Sequence, residues 1–240
     1  MAKLRVHNIE ASTGTDVAFG TTGDTIAVSS DSLKLNTWKD SGGNTLFQSD
    51  GAGTLSNVNS AMSGAGPKLI LSQTASGSSG IAFTSGIDST YDKYMFVFTD
   101  INCSTDNKTF QFQCRTVGSE TYDTTITSTC FQAYQPESGS GWFGYRANGQ
   151  LSQETGYQAL AEEMGNGSDE SSAGILYLFS PSSTTYVKQF YSRFGEYAFE
   201  NRTYDEFIGG YLNTTTAING INFKMSSGTF DGKIKMYGVT

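Results

Sequence analysis

Catalysis needs a side chain that can move a proton, attack an electrophile or hold a metal, and this sequence offers few. His7 is the one histidine in 240 residues. It lies among very short apolar beats, so a Ser-His-Asp or Cys-His arrangement would have to borrow its partners from the far end of the chain. Without a second histidine, the commonest transition-metal sites cannot be assembled. Cys103, Cys114 and Cys130 are an odd number with no Cys-x-x-Cys among them. They read as small buried hydrophobes, not as a disulfide framework or a zinc site.

Carboxylates remain, and a pair about 5 to 10 Å apart can cleave a glycosidic bond. The pairs are Glu162/Glu163, Asp169/Glu170, Glu196/Glu200 and Asp205/Glu206. Strand alternation sends neighbours to opposite faces, so Asp205 and Glu206 should part. Glu162 and Glu163 precede Gly165-Asn-Gly167 and are expected to be solvated loop charges. The run from Asn166 to Glu170 carries oxygen side chains at close spacing but lacks the full calcium-loop pattern with its distal bidentate Glu, and reads as an acidic loop. Gly139 to Gly144 is glycine-rich, yet no Lys-Ser/Thr follows, so it is not a phosphate cradle. Within and just after it, Trp142, Phe143 and Tyr145 are expected to be covered by an interface or a neighbouring loop. The sharper alternative is that their flat faces contact a glycan or a partner. Tyr186, Tyr191, Tyr197, Tyr204 and Tyr211 read as core-layer side chains with a polar tip at the rim. No catalytic, cofactor-binding or metal-binding residue is assigned, no cofactor is expected, and the chain is not read as an enzyme.

The elements that must position these groups are strands. Gly, Ser and Thr make up 87 of the 240 residues, Pro only 3, while 16 Phe and 13 Tyr provide large buried area. That composition favours turns and extended backbone over helix interiors and points to an all-β fold. A net charge of −8 without a Lys/Arg cluster leaves no footprint for nucleic acid or an anionic membrane surface. No apolar run approaches the roughly 20 residues of a spanning helix, and the first residues lack a Sec-type signal pattern, so neither membrane insertion nor glycosylation is expected.

Residues 1–58 contain only brief apolar beats, among them Leu4/Val6, Val17/Phe19, Ile26/Val28, Leu33/Leu35, Leu46/Phe47 and Leu55/Val58. Strands this short bury too little area to offset the ordering entropy of the segment. Val17, Phe19, Ile26, Val28, Leu33, Leu35, Trp38, Leu46 and Phe47 are therefore candidate trimer or attachment contacts, in an arm covered by its own copies on an axis or by a docking partner. Residues 59–66 are small and aperiodic and read as a linker. Residues 67–240 carry about ten strands: Lys68–Gln73, Ser79–Phe83, a run from Tyr94 apolar on both faces, an alternating run from Thr109, and further strands at 127–134, 174–179, 186–194, 206–211, 220–225 and 232–237. The turn at 104–108 predicts a hairpin, and only 157–164 offers a short helix. An antiparallel β-sandwich, jelly-roll-like, is the expected domain.

Two stretches carry a resemblance. Leu4-Arg-Val-His-Asn-Ile-Glu10, Gly14 to Phe19, Gly23 to Val28 and Trp38 to Ser56 resemble the N-terminal parts of small structural, fibre-like or decoration proteins of marine tailed phages such as cyanophages. Gly220 to Phe223 and Gly228 to Val239 resemble the closing hairpin of β-sandwich virion proteins. The resemblance implies a non-enzymatic component of the virion surface, assembled in the host cytoplasm as a homotrimer. Its arm would dock on other virion proteins of capsid or tail, and its C-terminal domain would project for adhesion or shell stabilisation. The alternatives are a receptor-binding tail protein that recognises host surface glycans, and a polysaccharide depolymerase using Glu162 or Glu196.

Overall fold

A computed structural model describes residues 37–40, 42–49, 52, 55–56, 58 and 66–239. The chain divides into two compact units, residues 1–64 and 65–240. His7, Val17, Phe19, Ile26, Val28, Leu33 and Leu35 lie outside the described residues.

In the first unit, β1 (Thr37–Lys39), β2 (Thr45–Ser49) and β3 (Leu55–Ser56) form an antiparallel sheet in the order β1-β2-β3. Asp40 turns β1 into β2: its carboxylate accepts the N–H groups of Gly42 and Asn44, both at 2.9 Å. Hydrogen bonds from the Asn44 side chain, then from the Asn44 and Gly42 backbone, hold the Asp40 carboxyl below its ordinary range. Trp38 faces Phe47 across the ladder, and their rings stack with centroids 5.9 Å apart. Leu46 is half-buried in the same hairpin.

The second unit carries thirteen strands: β4 (Lys68–Ser78), β5 (Ile81–Phe83), β6 (Lys93–Cys103), β7 (Lys108–Thr116), β8 (Ile126–Pro136), β9 (Trp142–Tyr145), β10 (Ser152–Glu154), β11 (Gln158–Met164), β12 (Ser172–Phe179), β13 (Lys188–Ala198), β14 (Arg202–Leu212), β15 (Ile218–Met225) and β16 (Phe230–Val239). A 3-10 turn at Ala147–Gly149 is the one helical element among the described residues. A long ladder runs β4-β16-β6-β12-β13-β14-β8, with β9 and β10 both on the free edge of β8. A shorter ladder runs β11-β7-β15-β5 and joins the first through a single bridge, Met164 to Ala198. Every pairing is antiparallel, and the sheet curls until it nearly closes into a barrel.

Phenylalanine rings fill the interior. Phe98 of the long ladder lies 5.0 Å from Phe223 of the short one and 5.0 Å from Phe194, while Phe110 meets Phe230 at 5.3 Å. Such pairs add about 0.5–1.5 kcal/mol each beyond the area they bury. The three cysteines are free thiols buried in this core. Burial pushes the Cys130 thiol up to about 12 and raises Cys103 and Cys114 as well, so all three stay protonated near neutral pH.

Several expectations are corrected. Residues 158–164 form a strand, not a helix. Chain neighbours β6 and β7 do not form a hairpin across 104–107: β6 pairs with β12 and β16, whereas β7 pairs with β11 and β15. The same holds for the resemblance's closing hairpin, because β15 and β16 also lie in different ladders. Both connections arch between ladders, which lets each strand aim its Phe-bearing face inward. Strand β6 is buried on one face only, with Met95 and Val97 half-exposed opposite Tyr94, Phe96 and Phe98. The two ladders together make one thirteen-stranded antiparallel sheet.

Candidate functional site

Two constellations, one polar and one aromatic, lie on opposite faces of the long ladder. The inner one gathers Arg146, which follows β9, with Glu162 and Glu163 of β11, Glu196 of β13, Glu206 of β14 and Gln132 of β8. Arg146 Nε lies 2.9 Å from Glu162 Oε2, and its terminal nitrogens donate to Glu163 Oε1 at 2.9 Å and Gln132 Oε1 at 2.6 Å. Gln132 Nε2 passes the network on to Glu206 Oε1 at 2.7 Å. Tyr204 donates its hydroxyl to Glu163 Oε2 at 2.5 Å. Adjacent Glu162 and Glu163 converge on one guanidinium because the ladder register shifts between Ala161 and Met164 and Glu163 takes φ 59°. This bulge breaks the alternation that would otherwise part them. The expectation of solvated loop charges is therefore overturned: Glu162 is buried and faces Arg146.

One guanidinium cannot neutralise four carboxylates in a poorly solvated interior. Glu206 is 1% exposed, and burial, reinforced by Glu162's charge, pushes its carboxyl up to about 8. Burial raises Glu196 well above the carboxylate range, with further contributions from Glu206 and Glu162, and neither of its oxygens has a hydrogen-bond partner. Burial also raises Glu162, against the pull of Arg146. Glu162 lines a cleft of about 180 Å³ that it shares with Tyr157 and Gln111. A glycosidase needs two carboxylates flanking the bond, and Glu196 and Glu206 lie too deep to touch a sugar.

Glu200 and Glu170 hold local structure. Glu200 pairs with Arg202. Glu170 accepts the Gly167 N–H at 2.6 Å, and Asn102 donates to the carbonyls of Gly167 and Glu170, so the 165–170 loop is closed by its own hydrogen bonds. Among the described residues, no group of three or more His, Cys, Asp or Glu is placed to hold a metal ion. None of the helical segments described is long and apolar enough to cross a membrane.

The outer face is aromatic and open. Trp142, Phe143 and Tyr145 are on strand β9, where a loop was expected, and strand alternation separates them. Phe143 and Tyr145 face outward with Phe131, 5.7 Å from Phe143, whereas Trp142 stacks on Tyr134, whose ring meets the buried Tyr204. No described loop covers them: Phe143 is 66% and Tyr145 59% exposed. The register then extends the row across three strands, from Phe131 to Phe207 to Arg193. Phe131 and Phe207 stack within 8° of parallel at 4.8 Å, and the Arg193 guanidinium sits 4.8 Å from Phe207's ring centre. Asp205 grips Arg193 through paired hydrogen bonds of 2.8 and 2.7 Å, which raise the Arg193 guanidinium further. A second cluster, Tyr177, Phe179 and Tyr191, occupies the same face, with Tyr177 and Tyr191 centred 4.9 Å apart.

Of the five tyrosines assigned to the rim, Tyr204 is buried, Tyr186 and Tyr191 are exposed, and Tyr197 and Tyr211 lie between. Phe131, Phe207 and Arg193 were missed because each is unremarkable within its own strand, and only the ladder register aligns them. Alternation does place Asp205 outside and Glu206 inside. No known protein family, curated protein or solved structure matches the chain.

Proposed function

We propose that the chain is a non-enzymatic surface-recognition protein, a fibre or decoration component of a phage virion. Its short-strand N-terminal segment docks and trimerises, and its C-terminal domain, built as a jelly-roll-like sandwich, projects outward for adhesion or shell stabilisation. The observation that carries this reading is the outward row of exposed Phe143 and Phe131, half-buried Phe207 and exposed Arg193, because a contiguous apolar stripe left open on a folded chain marks an interaction surface. The burial of Glu196 and Glu206 supports the non-enzymatic part, and the −8 charge favours solubility before assembly. Affinity would come from weak contacts repeated on one oligomer.

Light scattering after size exclusion, on the full chain beside a chain starting at Pro67, tests the arrangement. A trimer for the first and a monomer for the second is the expected result. Monomers for both would remove the trimeric fibre and leave a docking accessory subunit, and finding the protein absent from purified particles would end the virion reading. A receptor-binding role toward host glycans is the second reading, favoured by the openness of Phe143 and Tyr145; a depolymerase using Glu196 is disfavoured, because Glu196 and its neighbour Glu206 are buried.

A further inference from the structure

A groove of about 620 Å³ crosses β12, β13 and β14 on the outer face, beside the aromatic row. Its lining includes Ala173, Gly195, Arg193, Thr203 and Asp205. That volume falls within the range of small-ligand sites. We infer that this groove binds a segment of a neutral, linear glycan, an inference that rests on reading the outer face as a recognition surface.

Gly195 gives the first reason. A glycine inside a strand weakens it relative to alanine, so its presence needs a cause. Gly174 has one: a side chain there would meet the Phe194 ring at 2.5 Å. Gly195 has neither cause of its own, since its φ is not positive and a Cβ would meet nothing within 4 Å. Gly209, on the neighbouring strand two residues beyond Phe207, is equally unexplained. Bare backbone in a strand, free of local constraint, marks a place where something from outside comes close.

Charge gives the second reason. The cation in the groove, Arg193, is matched by the bidentate Asp205 carboxylate, and the chain as a whole is at −8, so an anionic polymer finds no unpaired positive charge in the groove. What the pair does offer is fixed hydrogen-bonding capacity: the remaining guanidinium N–H groups donate and the carboxylate's free lone pairs accept. With the Thr203 hydroxyl beside them, these groups suit a neutral ligand dense in hydroxyls. The apolar flank of Phe207 and Ile175 suits the C–H faces of a pyranose.

Direction gives the third. The groove runs across the strands over the sheet's face, where the ladder already uses the backbone N–H and C=O groups, so an added peptide strand would find no main-chain partners. Three strands at about 4.8 Å spacing give it a floor roughly 10 Å across, open to a chain lying through it.

The test is affinity electrophoresis of the full chain in gels containing a soluble linear glucan, mannan or galactan, with alginate as the acidic control. Wild type, Gly195→Val, Arg193→Met and Trp142→Ala are compared, and thermal denaturation checks that each is folded. Gly195→Val fills the groove with a side chain that strands accept, so it separates binding from folding. The expected result is retardation by at least one neutral polysaccharide, weakened about tenfold or more, some 1.4 kcal/mol, by Gly195→Val and Arg193→Met but unchanged by Trp142→Ala, which faces the other way. Undiminished retardation of folded Gly195→Val would overturn the groove while leaving adhesion standing. Retardation by alginate alone, or none in any gel, would overturn the glycan inference, and the surface-recognition reading would then be decided separately by solution mass and particle content.

Discussion

Asp205 and Glu206 are the same functional group one residue apart, and the molecule treats them oppositely. Asp205 lies on the outer face in a bidentate pair with Arg193. Glu206 lies 1% exposed among three other glutamates and is held protonated toward about 8. Strand periodicity assigns one to water and the other to the interior, and solvation then decides what each can do. The outer face can lose a charge or ring without unbalancing anything deeper. In the inner cluster, burial and the neighbouring Glu162 carboxylate raise Glu206 and Glu196 together.

The largest effect is therefore expected from Arg146. Replacing it with methionine strands Glu162 and Glu163 without their cation and removes a donor to Gln132, so stability should fall by about 3–5 kcal/mol, the usual cost of breaking a buried pair, as measured by urea denaturation at pH 7. A loss no larger than that of an outer-face variant would erase the distinction between the faces.

The next effect depends on pH. Glu206 has a folded pKa above its unfolded value, so between these values the folded state holds more protons than the unfolded one. Stability should then decline as pH rises from about 5 toward 8 and level off beyond; Glu196, raised well above 4.5 by burial, acts in the same direction. Glu206→Gln removes the titrating group and keeps its shape. It should flatten that decline and raise the melting temperature at pH 8, a gain on the order of a few kcal/mol at most. A variant that still loses stability over this range, with wild-type slope, would place the titration elsewhere.

On the outer face, Phe207→Ala removes cross-strand ring contacts with Phe131 and the surface under Arg193. The expected cost is about 1 kcal/mol, with no change in the pH profile. A cost several times larger would show that this row is part of the core and not an open surface. The smallest effect should come from Gly209→Thr, which introduces a β-favouring residue where a Cβ meets nothing. Chemical denaturation should show stability unchanged or higher by about 0.5 kcal/mol, and a clear loss would mean that the missing side chain serves the chain's own packing.

Much of this was legible in particular residues. Phe110, Phe112 and Cys114 alternate with Gln111, Gln113 and Arg115, and all three of the first set are fully buried. Even there the other face held a surprise. Gln113 is buried as well, donating to the carbonyls of Thr155 and Gly156 at 3.1 and 2.7 Å. The Glu162/Glu163 site was not legible, because a left-handed residue at 163 inverted the alternation and a strand was read as a helix. The Trp142, Phe143 and Tyr145 group was recognised as a unit but is divided between two faces once it becomes an edge strand.

Composition and two-residue alternation determined that the chain is all-β, that Phe110, Phe112 and Cys114 enter the core, and that Asp205 and Glu206 face apart, because these follow from local backbone geometry and solvent transfer. Which strand pairs with which was decided only in three dimensions. β6 leaves β7 for β12 and β16, and β8 to β14 and β14 to β13 pairings draw Phe131, Phe207 and Arg193 into one row. Partner choice depends on how two aromatic faces far apart in sequence pack over a shared interior. No single strand carries that information, so both the charge cluster and the aromatic row exist only in the assembled sheet.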